Sequence, residues 1–215
     1  MATPWTWDGK RYHNALTGKF IGQKQMLVLR DQFIEGMKEN MADLHGQLAR
    51  GEITLRKWER EMRTQIKMTY IDEYVLGHGG RGSMAKSDWG RIGSMCRTQY
   101  EFLGGFADDI QNGRYTDDKG NLKAESIAGR SDMYVNSGSA PYERGLALGQ
   151  GVPDLPAYPG DGSTACVTAC HCAWSIEETE EGWDATWTLG EGTDEHCPDC
   201  LAHAAEWNPL HIPKE

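Results

Sequence analysis

The sequence predicts a mainly α fold, a helical hairpin or bundle body followed by a small C-terminal zinc-knuckle module built on a β-hairpin. Three observations predict it. Apolar residues recur at spacings of 3 and 4 through residues 26–74, the period of helices with one buried face. Residues 149–162 then carry Pro153, Pro156 and Pro159 among four glycines, a composition that reads as a linker. Beyond it, five of the six cysteines fall between Cys166 and Cys200.

Residues 1–23 read as an aromatic arm. Trp5, Trp7, Tyr12, Phe20 and Ile21 flank the turn signals Asp8-Gly9 and Thr17-Gly18. Short strand pieces fit there, but such a segment cannot build a core alone, so it packs either on its own body or on a partner. No apolar run approaches the roughly 20 residues that span a bilayer. The first residues lack the continuous apolar stretch of a signal peptide, so the sequence is expected to stay in the cytosol or in whatever assembles there.

The helical domain is expected over 24–150. Met26, Leu29, Phe33, Met37, Met41, Leu44 and Leu48 form the first stripe, which Gly51 should stop. Leu55, Trp58, Met62, Ile66, Tyr70 and Tyr74 form the second, with Thr54 placed to cap it. Glycines 77, 79, 80 and 82 read as a flexible connector. The third stripe is Trp89, Ile92, Cys96, Leu103 and Ile110, with Ser87 as the expected cap and Gly113 past its end. Cys96 reads as a buried, inert thiol, and His13, His45 and His78 as solvent-facing. Leu122, Ile127 and Met133 suggest further helix interrupted by Gly129, Gly138 and Pro141, with a short separate helix over 142–148. The linker is placed at 151–162 and the module at 163–215.

In the module, Trp174 and Ile176, then Trp183, Ala185 and Trp187, alternate with polar residues around an acidic turn at 179–182. That is the pattern of a two-stranded hairpin. Residues 201–207 read as a short helix. A bare hairpin is marginal in water, so a metal crosslink would supply what burial cannot. Cys166-Val-Thr-Ala-Cys170-His171-Cys172 and His196-Cys197-Pro-Asp-Cys200 are two knuckles on either side of it. Zinc takes four such ligands in a tetrahedron. The preferred set is Cys166, Cys172, Cys197 and Cys200, with Cys170, His171 and His196 as alternates. Charge argues for keeping a histidine in reserve. Residues 160–215 hold one lysine and 12 acids, a net −11, while residues 1–159 sum to +1. Four thiolates on zinc would add −2 to the acidic part.

Other cysteine chemistry competes. Five local thiols is an odd number for disulfides, Cys197-x-x-Cys200 lacks the surrounding pattern of a redox motif, and no His-x-Glu precedes it as in a zinc deaminase. No phosphate-loop lysine follows Gly77–Gly82, and neither His-Glu-x-x-His nor Gly-x-Ser-x-Gly occurs. The expectation is a protein without catalytic activity. A segment this acidic repels a phosphate backbone, so nucleic-acid binding by the C-terminal part is not expected.

The stretches Tyr142-Glu143-Arg144-Gly145, Pro159-Gly160-Asp161-Gly162-Ser163-Thr164 and Cys170-His171-Cys172-Ala173-Trp174 resemble the end of phage head morphogenesis proteins, the minor capsid proteins of the Mu F type. His196-Cys197-Pro198-Asp199-Cys200-Leu201, Trp207-Asn208-Pro209-Leu210 and the arm from Trp7-Asp8 to Gly18-Lys19-Phe20 look similar to their tails and N-termini. The resemblance implies a structural or assembly role in a bacteriophage head, with portal or capsid proteins as partners and the prohead or virion as location. The alternative function is a zinc-module adaptor or regulator that binds a host protein or nucleic acid. A third, a thiol enzyme using Cys197 and Cys200, would require reactive low-pKa thiols.

Overall fold

Helices dominate the computed structural model, joined by two small antiparallel sheets. It describes residues 3–8, 11–191 and 195–214; Gly9, half of the expected first turn, lies outside them. The chain divides into two compact units, one of residues 1–72 and 80–135, the other of 73–79 and 136–215.

The first unit begins with a hairpin, β1 (Trp5–Trp7) against β2 (Tyr12–Asn14), in the register Trp5↔Asn14 and Trp7↔Tyr12. Its aromatics pack on their own unit. Trp5 is buried edge-on against Phe33, and Trp7 lies so close over Gly80 that a Cβ there would strike the indole. Gly80 adopts φ 104°, so its lack of a side chain is used twice.

The long helices follow the predicted stripes. In α1 (Gln23–Ala49), Phe33, Met37, Met41 and Leu48 are buried, while Met26, Leu29 and Leu44 are half-buried. Gly51, at φ 71°, ends it: Gly51 N donates to Leu48 O and Glu52 N to Gln47 O, the paired bonds that satisfy the last carbonyls. In α2 (Leu55–Gly77), Trp58, Met62, Ile66 and Tyr70 are buried. Thr54 caps it, its hydroxyl accepting from Lys57 N at 3.2 Å. In α3 (Lys86–Gln111), Ile92, Cys96, Leu103, Phe106 and Ile110 face inward, and Gly113 closes the helix with the same kind of turn as Gly51.

Three expectations change here. Ser87 does not cap α3; the chain enters at Ala85, whose N–H donates to Asp88 Oδ2 at 2.7 Å, because a carboxylate at the third helical position reaches back to the first donor. Trp89 is exposed, one position off the buried stripe. His45 is buried rather than solvent-facing, since it falls between Met41 and Leu48 on the inner face of α1. Its Nδ1 accepts from Trp58 Nε1 at 2.9 Å, and Trp58 packs edge-on against Phe106. Helix α4 (Ala124–Asn136) completes this unit with Ile127, Tyr134 and Val135 buried; Gly129 does not interrupt it.

The second unit contains the last turn of α2 and α5 (Ser139–Gly149), two backbones in direct contact. A Cβ at Gly77 would collide with the Tyr142 carbonyl, one at Gly145 with the Tyr74 carbonyl, and one at Gly149 with the His78 backbone. Glycine is the residue that permits this approach. His78, expected to face solvent, is buried in the same contact and stacks on Tyr74.

The stretch 151–162, read as a linker, belongs to this unit, with Val152, Leu155, Ala157 and Tyr158 buried. Its prolines set a fixed path instead of a loose one. Ser139 Oγ donates to Pro159 O, and Trp174 Nε1 donates to Ala157 O. The hairpin forms close to its expected bounds, as β3 (Ala173–Glu178) and β4 (Gly182–Thr188), pairing Trp174 with Trp187. Helix α6 spans Pro198–Glu206. The sheet gains a strand that the sequence reading lacked: β5 (Leu210–Pro213) pairs antiparallel with β4, Trp183 opposite Ile212. Among the described residues no helix is long and apolar enough to cross a membrane.

Candidate metal centre

Each sulfur is placed by a different local device. Cys197 is the N-cap of α6: Pro198 presets the first helical residue, and Cys200 N donates to Cys197 Sγ at 3.4 Å. Cys200 therefore sits one turn into the helix with its side chain buried. The other arm is a tight knuckle over 164–170. Val167 N donates to Thr164 O and Ala169 N to Cys166 O, and the turn puts Val167 at φ 50°, a conformation that a β-branched residue adopts at a cost. A clasp joins the arms: Ala165 N donates to Asp199 Oδ2 at 2.7 Å.

These devices bring sulfurs from 34 residues apart into contact. Cys166 Sγ and Cys170 Sγ each lie 3.7 Å from Cys200 Sγ, and Cys197 Sγ lies 3.6 Å from Cys166 Sγ. Cys166, Cys170 and Cys200 all fall within 4.8 Å of one another, close enough to hold a metal ion. All six cysteines are free thiols. A tetrahedron of sulfurs at a Zn–S distance of about 2.3 Å has edges of about 3.8 Å, so the three sulfur contacts are compatible in length with zinc ligation.

The group of three contains Cys166 and Cys200 of the preferred set; Cys172 and Cys197 lie outside it, though Cys197 touches Cys166. Cys170, the alternate, stands in the group of three where Cys172 was favoured. Cys172 is buried two residues along the chain from it. Neither His171, which is exposed, nor His196, which is half-buried, joins the group. Cys96 is buried on α3, as expected, and burial pushes its thiol pKa up.

The electrostatics are divided. Burial pushes the Cys170 thiol up to about 12. Burial pushes Cys200 far above the ordinary thiol range, and its hydrogen bonds with Cys197 and Cys172 add to that. Cys197 is the exception. Burial works upward on it too, but hydrogen bonds from Cys200 and Cys166 outweigh this and bring it down to about 7. Burial thus favours the protonated form of these two sulfurs, whereas metal ligation would require the thiolate. The backbone donors on Cys170 and Cys197, together with the N-terminus of α6, offset part of the negative charge that four thiolates would bring.

Behind the sulfurs lies a ring cluster. Trp174 meets Trp187 edge-on at 5.2 Å and stacks on Trp207 at 5.3 Å, while His203 stacks on Trp207 at 4.0 Å. The edge of β3 is closed by Glu143, whose Oε2 accepts from Trp174 N at 3.1 Å. Sequence reasoning missed the bonds of this carboxylate and of Asp199, because both join residues more than 30 positions apart. The chain matches no known family model, no curated protein and no solved structure.

Proposed function

We propose that this chain is a structural or assembly protein, not an enzyme, whose second unit is organised by a structural zinc ion on Cys166, Cys170, Cys197 and Cys200. The single observation behind this reading is the convergence of four sulfurs at 3.6–3.7 Å contacts from two arms of the chain. The unit around them supports a structural role for the metal. Its buried cluster is made largely of alanines, cysteines and two tryptophans, and a core this thin needs a crosslink. With four protein ligands the metal keeps no open position for substrate, which is how structural zinc sites differ from catalytic ones.

The setting proposed for this scaffold is a bacteriophage head, with a helical-bundle body and a metal-held acidic module that contacts portal or capsid proteins in the prohead or virion. The resemblance of residues 142–145, 159–164, 170–174, 196–201 and 207–210 to phage head morphogenesis proteins supports that setting. The charge pattern agrees with protein contacts rather than direct nucleic-acid contact by the acidic part.

Metal content per chain of freshly purified protein tests the zinc. One zinc per chain, with four thiols becoming reactive together on chelation, is the expected result. Metal-free protein with freely reactive thiols would overturn it. The setting is tested separately by mass spectrometry of proheads and mature particles from the source phage. Absence from both would remove the head assignment.

A further inference from the structure

Cys166 Sγ lies 3.6 Å from Cys197 Sγ and 3.7 Å from Cys200 Sγ, the shared vertex that Cys170 also touches at 3.7 Å. A third contact of Cys166 is not to a sulfur: Thr164 Oγ1 lies 3.1 Å from its Sγ. Thr164 is 4% exposed, so its hydroxyl must find its partner inside the protein. The knuckle fixes it there. Val167 N donates to Thr164 O at 2.8 Å, and Ala165 N donates to Asp199 Oδ2 at 2.7 Å. Those two backbone donors are committed elsewhere, while the hydroxyl faces the sulfur. The direction of its bond depends on the metal. A free thiol can give its proton to the hydroxyl; a metal-bound thiolate can only accept, so the hydroxyl must then donate.

We propose that Thr164 is a positioning residue for the metal: its hydroxyl donates to the Cys166 thiolate, orients that sulfur and spreads the charge of the loaded site. This rests on the four-cysteine zinc reading above. Four thiolates on a divalent ion leave two negative charges, in a segment that already sums to −11 over 160–215. A charge-assisted hydrogen bond to a ligand sulfur relieves part of that repulsion. Cys197 receives the same help from the backbone, through Cys200 N at 3.4 Å. Cys166 receives it from a side chain, which can be exchanged. Partners of metal ligands are worth about 10–100-fold in metal affinity. The competing role for a buried threonine is packing, with its methyl group filling space beside the knuckle.

Two substitutions in the full-length protein separate these roles. Thr164→Val keeps the shape and removes the donor; Thr164→Ser keeps the donor and removes the methyl group. Zinc affinity is measured by competition with a chelator of known affinity. Thr164→Val should bind zinc about tenfold more weakly or worse, and Thr164→Ser close to wild type. Cobalt(II) loaded in place of zinc gives a second readout, since hydrogen bonds to ligand sulfurs tune a metal's electronic properties. Its thiolate-to-metal absorption should move to longer wavelength in Thr164→Val and stay in place in Thr164→Ser. Thr164→Val binding zinc like wild type, Thr164→Ser weakened as much as Thr164→Val, or an unmoved cobalt band in a cobalt-loaded Thr164→Val each overturns the proposal and leaves zinc standing. Thr164→Val purifying without metal while Thr164→Ser holds one zinc per chain supports it. If wild type takes up neither zinc nor cobalt, the underlying reading fails and takes the proposal with it.

Discussion

The two compact units meet the same requirement by different means. The first closes around large apolar side chains: Trp58, Phe33, Phe106, Met37, Met41, Met62, Ile66 and Leu103 are fully buried along long helices. The second has Trp174, Trp187 and Tyr158 at its centre with Val152 and Leu155, and fills in around them with Ala140, Ala147, Ala157, Ala185 and three buried cysteines. Hydrophobic burial contributes roughly 1.5–3 kcal/mol per large side chain and far less per alanine, so apolar transfer carries a larger share in the first unit. The second relies on specific bonds instead: glycine-mediated backbone contact, the Glu143 and Asp199 carboxylates on backbone donors, and the sulfur cluster. A core built from periodic side chains tolerates the loss of one; a core closed by a few bonds does not.

The largest expected effect breaks the comparison outright. Removing the metal with a strong chelator, or replacing the shared vertex by Cys200→Ser, should unfold the second unit while the first keeps its helices, because binding of a structural zinc is folding free energy of order 10 kcal/mol. Hydrogen exchange followed by mass spectrometry reads it: protection lost over residues 164–213 and retained over α1 and α3. Equal loss in both units would mean that the sulfur cluster is not the local support described here.

The converse substitution is Leu103→Ala. It deletes a fully buried side chain in the first unit and should cost about 2–5 kcal/mol in denaturant unfolding. Zinc content should not change. Gly145→Val attacks the second unit without touching a sulfur, since the new side chain meets the Tyr74 carbonyl. A loss of about 1–3 kcal/mol is expected, the usual cost of forcing extra atoms into a packed contact.

How far these units could be read in advance differs for the same physical reason. Helices α1, α2 and α3 carry their burial pattern in local periodicity, and Gly51, Thr54 and Gly113 mark their ends by backbone chemistry any sequence displays. The β3–β4 hairpin was legible from alternation. His45 was misread because residue type was weighed above its place on the stripe between Met41 and Leu48. In the second unit the decisive contacts are nonlocal: Gly77 against α5, Trp174 against Glu143, Ala165 against Asp199. None leaves a periodic trace. Strand β5 was hidden because Pro209 precedes it and Pro213 ends it, and prolines in a short run argue against a strand unless it lies at an edge, where β5 sits. Spacing alone could not choose between Cys170 and Cys172; the knuckle at 164–170 points Cys170 at Cys200.

A smaller effect separates the units by pH. Burial lowers the pKa of His45 from 6.5 to about 4, and its Nδ1 accepts from Trp58, so the neutral ring is the folded form. The unfolded chain then binds one proton more than the folded chain between those values. The contribution is fully present above about pH 6.5 and is lost as pH falls toward 4, with a slope of up to about 1.4 kcal/mol per pH unit. His45→Gln keeps an acceptor for Trp58 and does not titrate. In the first unit, read by hydrogen exchange over α1, its stability should show a slope shallower by one proton across that window. An unchanged slope would place the acid sensitivity elsewhere.

The smallest effect sharpens the picture of the sulfur knuckle. Val167 holds φ 50° and is 41% exposed, so it accepts backbone strain while burying little. That conformation costs a β-branched residue on the order of 1–3 kcal/mol, whereas glycine adopts it freely but loses about 0.5–1 kcal/mol more backbone entropy on folding. The strain term is the larger. Val167→Gly should therefore stabilise the second unit by up to about 1–2 kcal/mol, leave the first unit unchanged, and tighten zinc binding, since the knuckle would reach its ligating shape with less distortion. Competition with a chelator of known affinity measures the last point. Weaker zinc binding in Val167→Gly would mean that the valine side chain, rather than the turn it strains, holds Cys166 and Cys170 in place.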